Sequence, residues 1–264
     1  MKIIGEKING TRRRVARAIT ERDADFIKEL SRKQVEAGSI WLDVNVGTHP
    51  ETEPDDLVWL IETIQQEIDI PLCLDSANPK ALKAGIRAVN KTPLINSISG
   101  EQDRLENVLP IAAEHGCEVI ALAMDDKKIP ETYEKRLEVI DIVMDAARAA
   151  GVSDDKVYVD PLAMTIATAN QSAVMACNTI RTVKAKYPDV HFTMGLSNIS
   201  FGMPARRQIN RAFLTLAMEA GLDSAILDPT DKELMAAIVT TELLLGEDKR
   251  CLNYLKASRS GLFE

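Results

Sequence analysis

Short apolar runs alternate along the chain with longer segments whose apolar residues recur at helical spacing. The first run, residues 2–5, ends in Glu6-Lys7-Ile8-Asn9-Gly10. Phe26, Ile27, Leu30 and Val35 then mark a helix over 23–37, stopped by Gly38 as a left-handed C-terminal residue. The run 40–46 leads through Gly47-Thr48-His49-Pro50 into a helix over 55–67, with Leu57, Leu60, Ile61 and Ile64 on one face. A third run, 70–74, precedes Asp75-Ser76-Ala77-Asn78-Pro79, where Asn78 suits an N-cap and Pro79 the first position of a helix reaching Val89. Leu94 and Ile95 begin a fourth strand that ends near Asn96, with a helix over 102–115 behind it. Strands over 119–124, 156–159, 190–196 and 224–227 then alternate with helices over 133–150, 171–186, 204–220 and 233–245. A longer loop, 162–169, separates the sixth strand from its helix.

Eight strand-like runs, each followed by a helix-length segment, predict an α/β fold of the (β/α)8 TIM-barrel type, one domain over 1–264. The length matches the ~250 residues usual for that fold. An open doubly wound sheet is the alternative by periodicity alone. Its phosphate loop should follow the first strand as GxGxxG, whereas Gly5-Glu6-Lys7-Ile8-Asn9-Gly10 lacks that spacing, and no Walker motif occurs. Parallel strands lying side by side bring their C-terminal ends to one rim. The polar residues at those ends, Asp43 to Asn45, Asp75 to Asn78, Asn96, Asp160 and Asn198, would share it, and such a rim suits a polar heterocycle.

Composition narrows the function classes. A net charge of −8, with 45% hydrophobic and 27% charged residues, fits an ordinary globular chain and weighs against broad nucleic-acid binding. Arg12-Arg13-Arg14 reads as a solvated turn. No segment approaches the ~20 apolar residues of a membrane span, and the first residues give no signal-peptide pattern, so a cytoplasmic location is expected. Cys73, Cys117, Cys177 and Cys251 form no CxxC pair and are expected reduced, Cys73 and Cys117 in or beside the core. His49, His115 and His191 are dispersed, no metal site is predicted, and no Ser-His-Asp arrangement can be placed. Any one Asp or Asn at a strand end could equally cap a helix; Asn78 and Asp228-Pro229 read that way.

Six stretches, in order and at successive strand ends, carry a resemblance. They are Ile4-Gly5-Glu6-Lys7-Ile8-Asn9, Leu42-Asp43-Val44-Asn45-Val46-Gly47, Cys73-Leu74-Asp75-Ser76, Leu94-Ile95-Asn96-Ser97, Asp160-Pro161-Leu162 and Gly195-Leu196-Ser197-Asn198-Ile199-Ser200-Phe201-Gly202. Over nearly the whole chain they resemble the pterin-binding methyltransferases, which include methyltetrahydrofolate:corrinoid protein methyltransferases and the folate module of cobalamin-dependent methionine synthase. The resemblance implies methyl transfer between a corrinoid (cobalamin), as Co(I) or methyl-Co(III), and N5 of tetrahydrofolate, in either direction. It implies Asp75, Asn96 and Asp160 on the pterin edge and Asn198 near N5, with Asn198 also stabilising the transition state. Asp43, Asn45 and Ser197 would support them, as would Arg206, which aligns with an arginine after the seventh strand although the 201–205 loop departs from the family pattern. The corrinoid-binding Asp-x-His-x-x-Gly is absent, so a separate corrinoid protein would carry that cofactor, and a homodimer is expected. Two alternatives are a dihydropteroate synthase-like pterin enzyme, whose Ser-x-Arg-x-His element is missing at Ala257-Ser258-Arg259-Ser260, and a non-enzymatic folate-binding subunit of a demethylase complex.

Overall fold

The computed structural model describes residues 1–126 and 129–264. Eight parallel strands, β1 (Lys2–Asn9), β2 (Trp41–Asn45), β3 (Leu72–Asp75), β4 (Leu94–Gly100), β5 (Glu118–Asp125), β6 (Val157–Asp160), β7 (His191–Phe192) and β8 (Ser224–Leu227), lie in the order β7-β6-β5-β4-β3-β2-β1-β8. The two ends of that order meet at a parallel bridge between Gly195 and Ile226. Ile226 N donates to Met194 O at 2.9 Å and Ser224 Oγ to Phe192 O at 2.9 Å, so the sheet closes on itself as the predicted barrel.

Strand alternation then fixes what faces the axis. Ile4, Trp41, Cys73, Leu94, Ile120 and Tyr158 form a cluster of their own inside the barrel, apart from the larger apolar layer between sheet and helices. Register places Ile4 beside Trp41, Cys73 beside Leu94 and Ile120 beside Tyr158. Because side chains repeat every second residue along a strand, the residues two positions further on face inward again, one layer nearer the C-terminal mouth. Those residues are Glu6, Asp43, Asp75, Asn96, Leu122 and Asp160. The lower layer is apolar and sealed; the upper layer is the polar rim anticipated from the sequence.

The predicted helices are found with ends shifted by a residue or two. They are α2 (Ala24–Glu36), α3 (Glu53–Gln65), α4 (Pro79–Ala88), α7 (Tyr133–Ala149), α8 (Ser172–Lys186), α9 (Arg206–Ala220) and α10 (Lys232–Leu244). Asp23 caps α2 by accepting from Phe26 N, and Asn78 caps α4 by accepting from Lys80 N, as expected of it.

Four local readings are corrected. Arg12-Arg13-Arg14 is solvated but is not a turn throughout: Arg13 opens α1 (Arg13–Glu21), whose Val15, Ala18 and Ile19 are buried. The helix expected over 102–115 is two, α5 (Gln102–Asn107) and α6 (Leu109–Glu114), because Pro110 cannot continue the hydrogen-bond ladder. The seventh strand is two residues long rather than 190–196, and Leu196–Ser200 forms a 3-10 turn. A further helix, α11 (Leu252–Arg259), follows α10. Cys73, Cys117 and Cys177 are buried free thiols, and Cys251 is exposed. No helix among the described residues is long and apolar enough to cross a membrane.

Candidate functional site

A cavity of about 310 Å³ opens at the C-terminal mouth. Its wall includes Asp43, Asp75, Asn96, Ser197 and Asn198, brought together from β2, β3, β4 and the 196–200 turn. Glu6, Asn9, Thr11 and Arg12, at and just beyond the end of β1, complete one side. A larger hollow of about 420 Å³ lies at the opposite face around Met1, Lys2 and Asp223, and it contains none of the strand-end residues. Chemistry rather than size therefore selects the mouth cavity.

The close approach of β1 and β2 depends on Gly10. Its N–H donates to Asn45 O at 2.8 Å, and a Cβ there would stand 1.8 Å from Val46 O, so only glycine lets the two chain segments meet. That contact sets the Glu6 side of the wall beside the Asp43 side.

The buried polar groups of the wall are ordered by one another. Asn96 Nδ2 donates to Asp43 Oδ1 at 3.2 Å, which turns the amide oxygen of Asn96 away from Asp43. The Cys73 thiol also donates to Asp43, so Cys73 fills the core and holds a site residue at once. Burial pushes the Asp43 carboxyl well above the usual range; the neighbouring Asp75 charge adds to this, and the Asn96 amide and Cys73 thiol oppose it. Burial also raises Asp75, but the Asn45 amide and the Arg104 guanidinium pull it back. Burial thus raises both carboxyl groups, with Asp43 held by the Asn96 amide and Asp75 by the Asn45 amide.

The remaining predicted residues sit behind the wall. Asn45 Nδ2 donates to Asp75 Oδ2 at 3.1 Å and to Asp75 O at 3.3 Å. Asp160 is 7% exposed and is not among the lining residues; it accepts from Leu162 N at 2.7 Å and from the backbone of Gly195, which does line the cavity. Burial pushes Asp160 up to about 6 against the pull of those N–H groups and of Arg136. Arg206 donates to Ser197 O at 2.7 Å and to Ser200 Oγ at 3.0 Å, and so braces the turn that presents Asn198. Asn198 is exposed at the mouth, and its amide has no hydrogen-bond partner among the described residues. Asp228 makes a turn, accepting from Thr230 N and Oγ1, and pairs with Lys7.

Sequence reasoning missed Glu6 and Arg12. Arg12 Nη2 donates to Glu6 Oε1 at 2.8 Å, and Ser197 Oγ donates to Glu6 Oε2 at 3.4 Å rather than serving Asn198. The signal for Glu6 was its spacing, two residues beyond the inward-facing Ile4.

Comparison with known proteins agrees with this arrangement. Residues 5–228 match the family model described as pterin binding enzyme. The chain is 41% identical over 263 residues to the methylcorrinoid:tetrahydrofolate methyltransferase of Eubacterium limosum, covering 99% of this chain and 97% of that protein. It is 32% identical over 238 residues to the methionine synthase of Mycobacterium tuberculosis, spanning 85% of this chain but only 20% of that much longer protein. The fold is shared with the dihydropteroate synthase of Yersinia pestis, at a TM-score of 0.68 and 17% identity, covering 93% of this chain and 92% of that one. The chain belongs to the pterin-binding enzymes, in the methyltransferase family of the Eubacterium limosum protein.

Proposed function

We propose that this enzyme transfers a methyl group between a corrinoid carried by a separate protein and N5 of tetrahydrofolate. The observation that carries the reading is the 41% identity along essentially the full length of both chains, with Asp43, Asp75, Asn96 and Asn198 lining one cavity. Asp75 and Asn96 take the pterin's donor and acceptor edge, with Asp160 acting from behind Gly195. Adjacent N–H groups of a reduced pterin need carboxylate acceptors, and an amide serves either polarity. Asn198 faces N5, where hydrogen bonding that strengthens as charge develops lowers the barrier. Asp43, Asn45 and Arg206 hold these groups in place through the bonds described above, while the Ser197 hydroxyl turns to Glu6.

The corrinoid supplies a cobalt centre that accepts or releases the methyl group. The protein's part is to fix the pterin in line with it, and placing two large reactants accounts for much of such a barrier. The cavity lies open at the barrel mouth, the direction from which a corrinoid protein would approach. A cytoplasmic, homodimeric protein of one pterin-binding domain is the setting proposed for this activity.

The test is an anaerobic visible spectrum of methylcobalamin incubated with the protein and tetrahydrofolate, run beside a calorimetric titration of tetrahydrofolate. Loss of the methyl-Co(III) band with cob(I)alamin and methyltetrahydrofolate appearing is expected, together with saturable folate binding. Absence of both binding and transfer would overturn the reading.

A further inference from the structure

Moving a methyl group onto N5 of tetrahydrofolate leaves a proton to be removed, and Asn198 cannot take it, because an amide does not ionise near neutral pH. Two of the carboxyl groups on the cavity wall are committed elsewhere: Asp43 to the Asn96 amide and the Cys73 thiol, Asp75 to the Asn45 amide. The third is Glu6. Its side chain is 19% exposed, so it touches both the cavity and solvent. One of its oxygens accepts from Arg12 and the other from the hydroxyl of Ser197, the residue adjoining Asn198 in the turn.

Resting on the methyltransferase reading, we propose that Glu6 is the proton acceptor for N5, reached through the Ser197 hydroxyl. The N5 lone pair attacks the methyl carbon of methyl-Co(III), and the Co–C bond breaks with both electrons left on cobalt as Co(I). N5 then carries methyl, hydrogen and a positive charge. Ser197 takes the N5 proton as it passes its own to the Glu6 carboxylate, which releases it to bulk water; the N5–H electron pair returns to N5. In the opposite direction the same carboxyl group, protonated from water, returns a proton to N5 as the methyl leaves for Co(I).

The charges around Glu6 suit this role. Arg12 from the segment after β1 pairs with the Glu6 carboxylate, and Asp43 and Asp75 from β2 and β3 line the same cavity. Lys7 is neutralised by Asp228, and the Arg206 guanidinium is directed at the Ser197 carbonyl. A carboxylate that touches both the cavity and solvent can pass a proton between them.

Glu6→Gln preserves size and leaves one oxygen that can accept from Ser197, giving up the acceptor for Arg12 and removing the titration. The measurement is the anaerobic rate of methyl transfer from methylcobalamin to tetrahydrofolate from about pH 5 to 9, with calorimetric folate affinity for each variant. Glu6→Gln is expected to bind tetrahydrofolate as the parent does and to transfer methyl roughly a hundredfold more slowly. A fall in rate at acid pH is expected of the parent and should vanish in this variant. Ser197→Ala should slow transfer in the same direction, and Glu6→Asp should recover part of the rate and the acid fall. A Glu6→Gln variant with the parent's rate and pH profile overturns the assignment and leaves the methyltransferase reading standing. A parent protein that neither binds folate nor transfers methyl overturns both.

Discussion

At the scale of single residues, the site depends on how differently its polar groups are held. Asp75 is an acceptor supported by Asn45, whereas the Asn198 amide at the mouth has no hydrogen-bond partner among the described residues. Removing each should therefore affect different quantities. Asp75→Ala leaves pterin donors unpaired, a loss of ~1–3 kcal/mol, and should weaken folate binding about 10- to 100-fold in a calorimetric titration. Asn198→Ala should retain most of the binding and lose most of the methyl-transfer rate. The reverse pattern would contradict the roles proposed for both.

Asp160 allows a test by pH. Its folded carboxyl titrates at about 6, against 3.8 ordinarily, because burial disfavours the charge. The folded state thus binds the proton more tightly than the unfolded chain, so this group's contribution falls as pH rises through the interval from 3.8 to about 6. Asp160→Asn mimics the neutral form at every pH and can still accept from Leu162 N. It should be more stable than the parent at pH 8 by up to about 3 kcal/mol, with the difference fading below pH ~4. Urea denaturation at both pH values measures this, and a variant less stable at pH 8 would show that the charge is stabilised by more than Leu162, Gly195 and Arg136. Asp75, Asn96 and Asp160 were visible as polar residues ending apolar runs, and the structure shows each two residues beyond an inward apolar residue, namely Cys73, Leu94 and Tyr158. Glu6 follows the same spacing after Ile4, but the run from Glu6 to Gly10 carries no single strand-end polar residue that marks it out. Neither can the one-dimensional pattern show that Asp160 stops behind Gly195.

At the scale of elements, legibility followed the strength of the apolar period. The long helices α2, α3 and α7 each bury a continuous stripe, and their limits were close. In α1 three arginines hid a stripe of only Val15, Ala18 and Ile19. β7 was overextended because Met194 and Leu196 are wholly buried without being strand residues; they pack where the chain turns to present Asn198. Asn78 was readable in full as a cap. It accepts from Lys80 N, and its amide donates to Pro50 O at 2.9 Å and Glu53 Oε2 at 3.1 Å, tying α4 to the start of α3. Asn78→Ala should destabilise the fold by about 1–2 kcal/mol, the upper part of the range for a cap, with folate affinity little changed. Chemical denaturation checks the first expectation and calorimetry the second; an unchanged midpoint would mean that water replaces all three bonds without loss.

At the scale of the whole molecule, the barrel is not joined equally all round. β4 runs along β5 from Leu94 beside Glu118 to Gly100 beside Asp125. The β7–β8 seam instead rests on the Gly195–Ile226 bridge and the bonds to Met194 O and Phe192 O. The site straddles this asymmetry: Asp43, Asp75 and Asn96 stand on well-paired strands, while Gly195, Ser197, Asn198 and Ile226 stand at the seam. Backbone amides open locally according to what holds them, so that of Ile226, which donates across the seam, should exchange with solvent faster than those in the middle of β4 and β5. A ligand contacting both walls binds only the closed barrel and stabilises it against opening in proportion to its saturation. Tetrahydrofolate should therefore slow exchange at 193–198 and 224–226 more than in β4 or β5, as measured by hydrogen–deuterium exchange mass spectrometry with and without ligand. Saturating folate that protects the β3–β4 ends but leaves the seam unchanged would place the pterin against Asp75 and Asn96 alone, out of reach of Asn198 and of the proton route through Ser197.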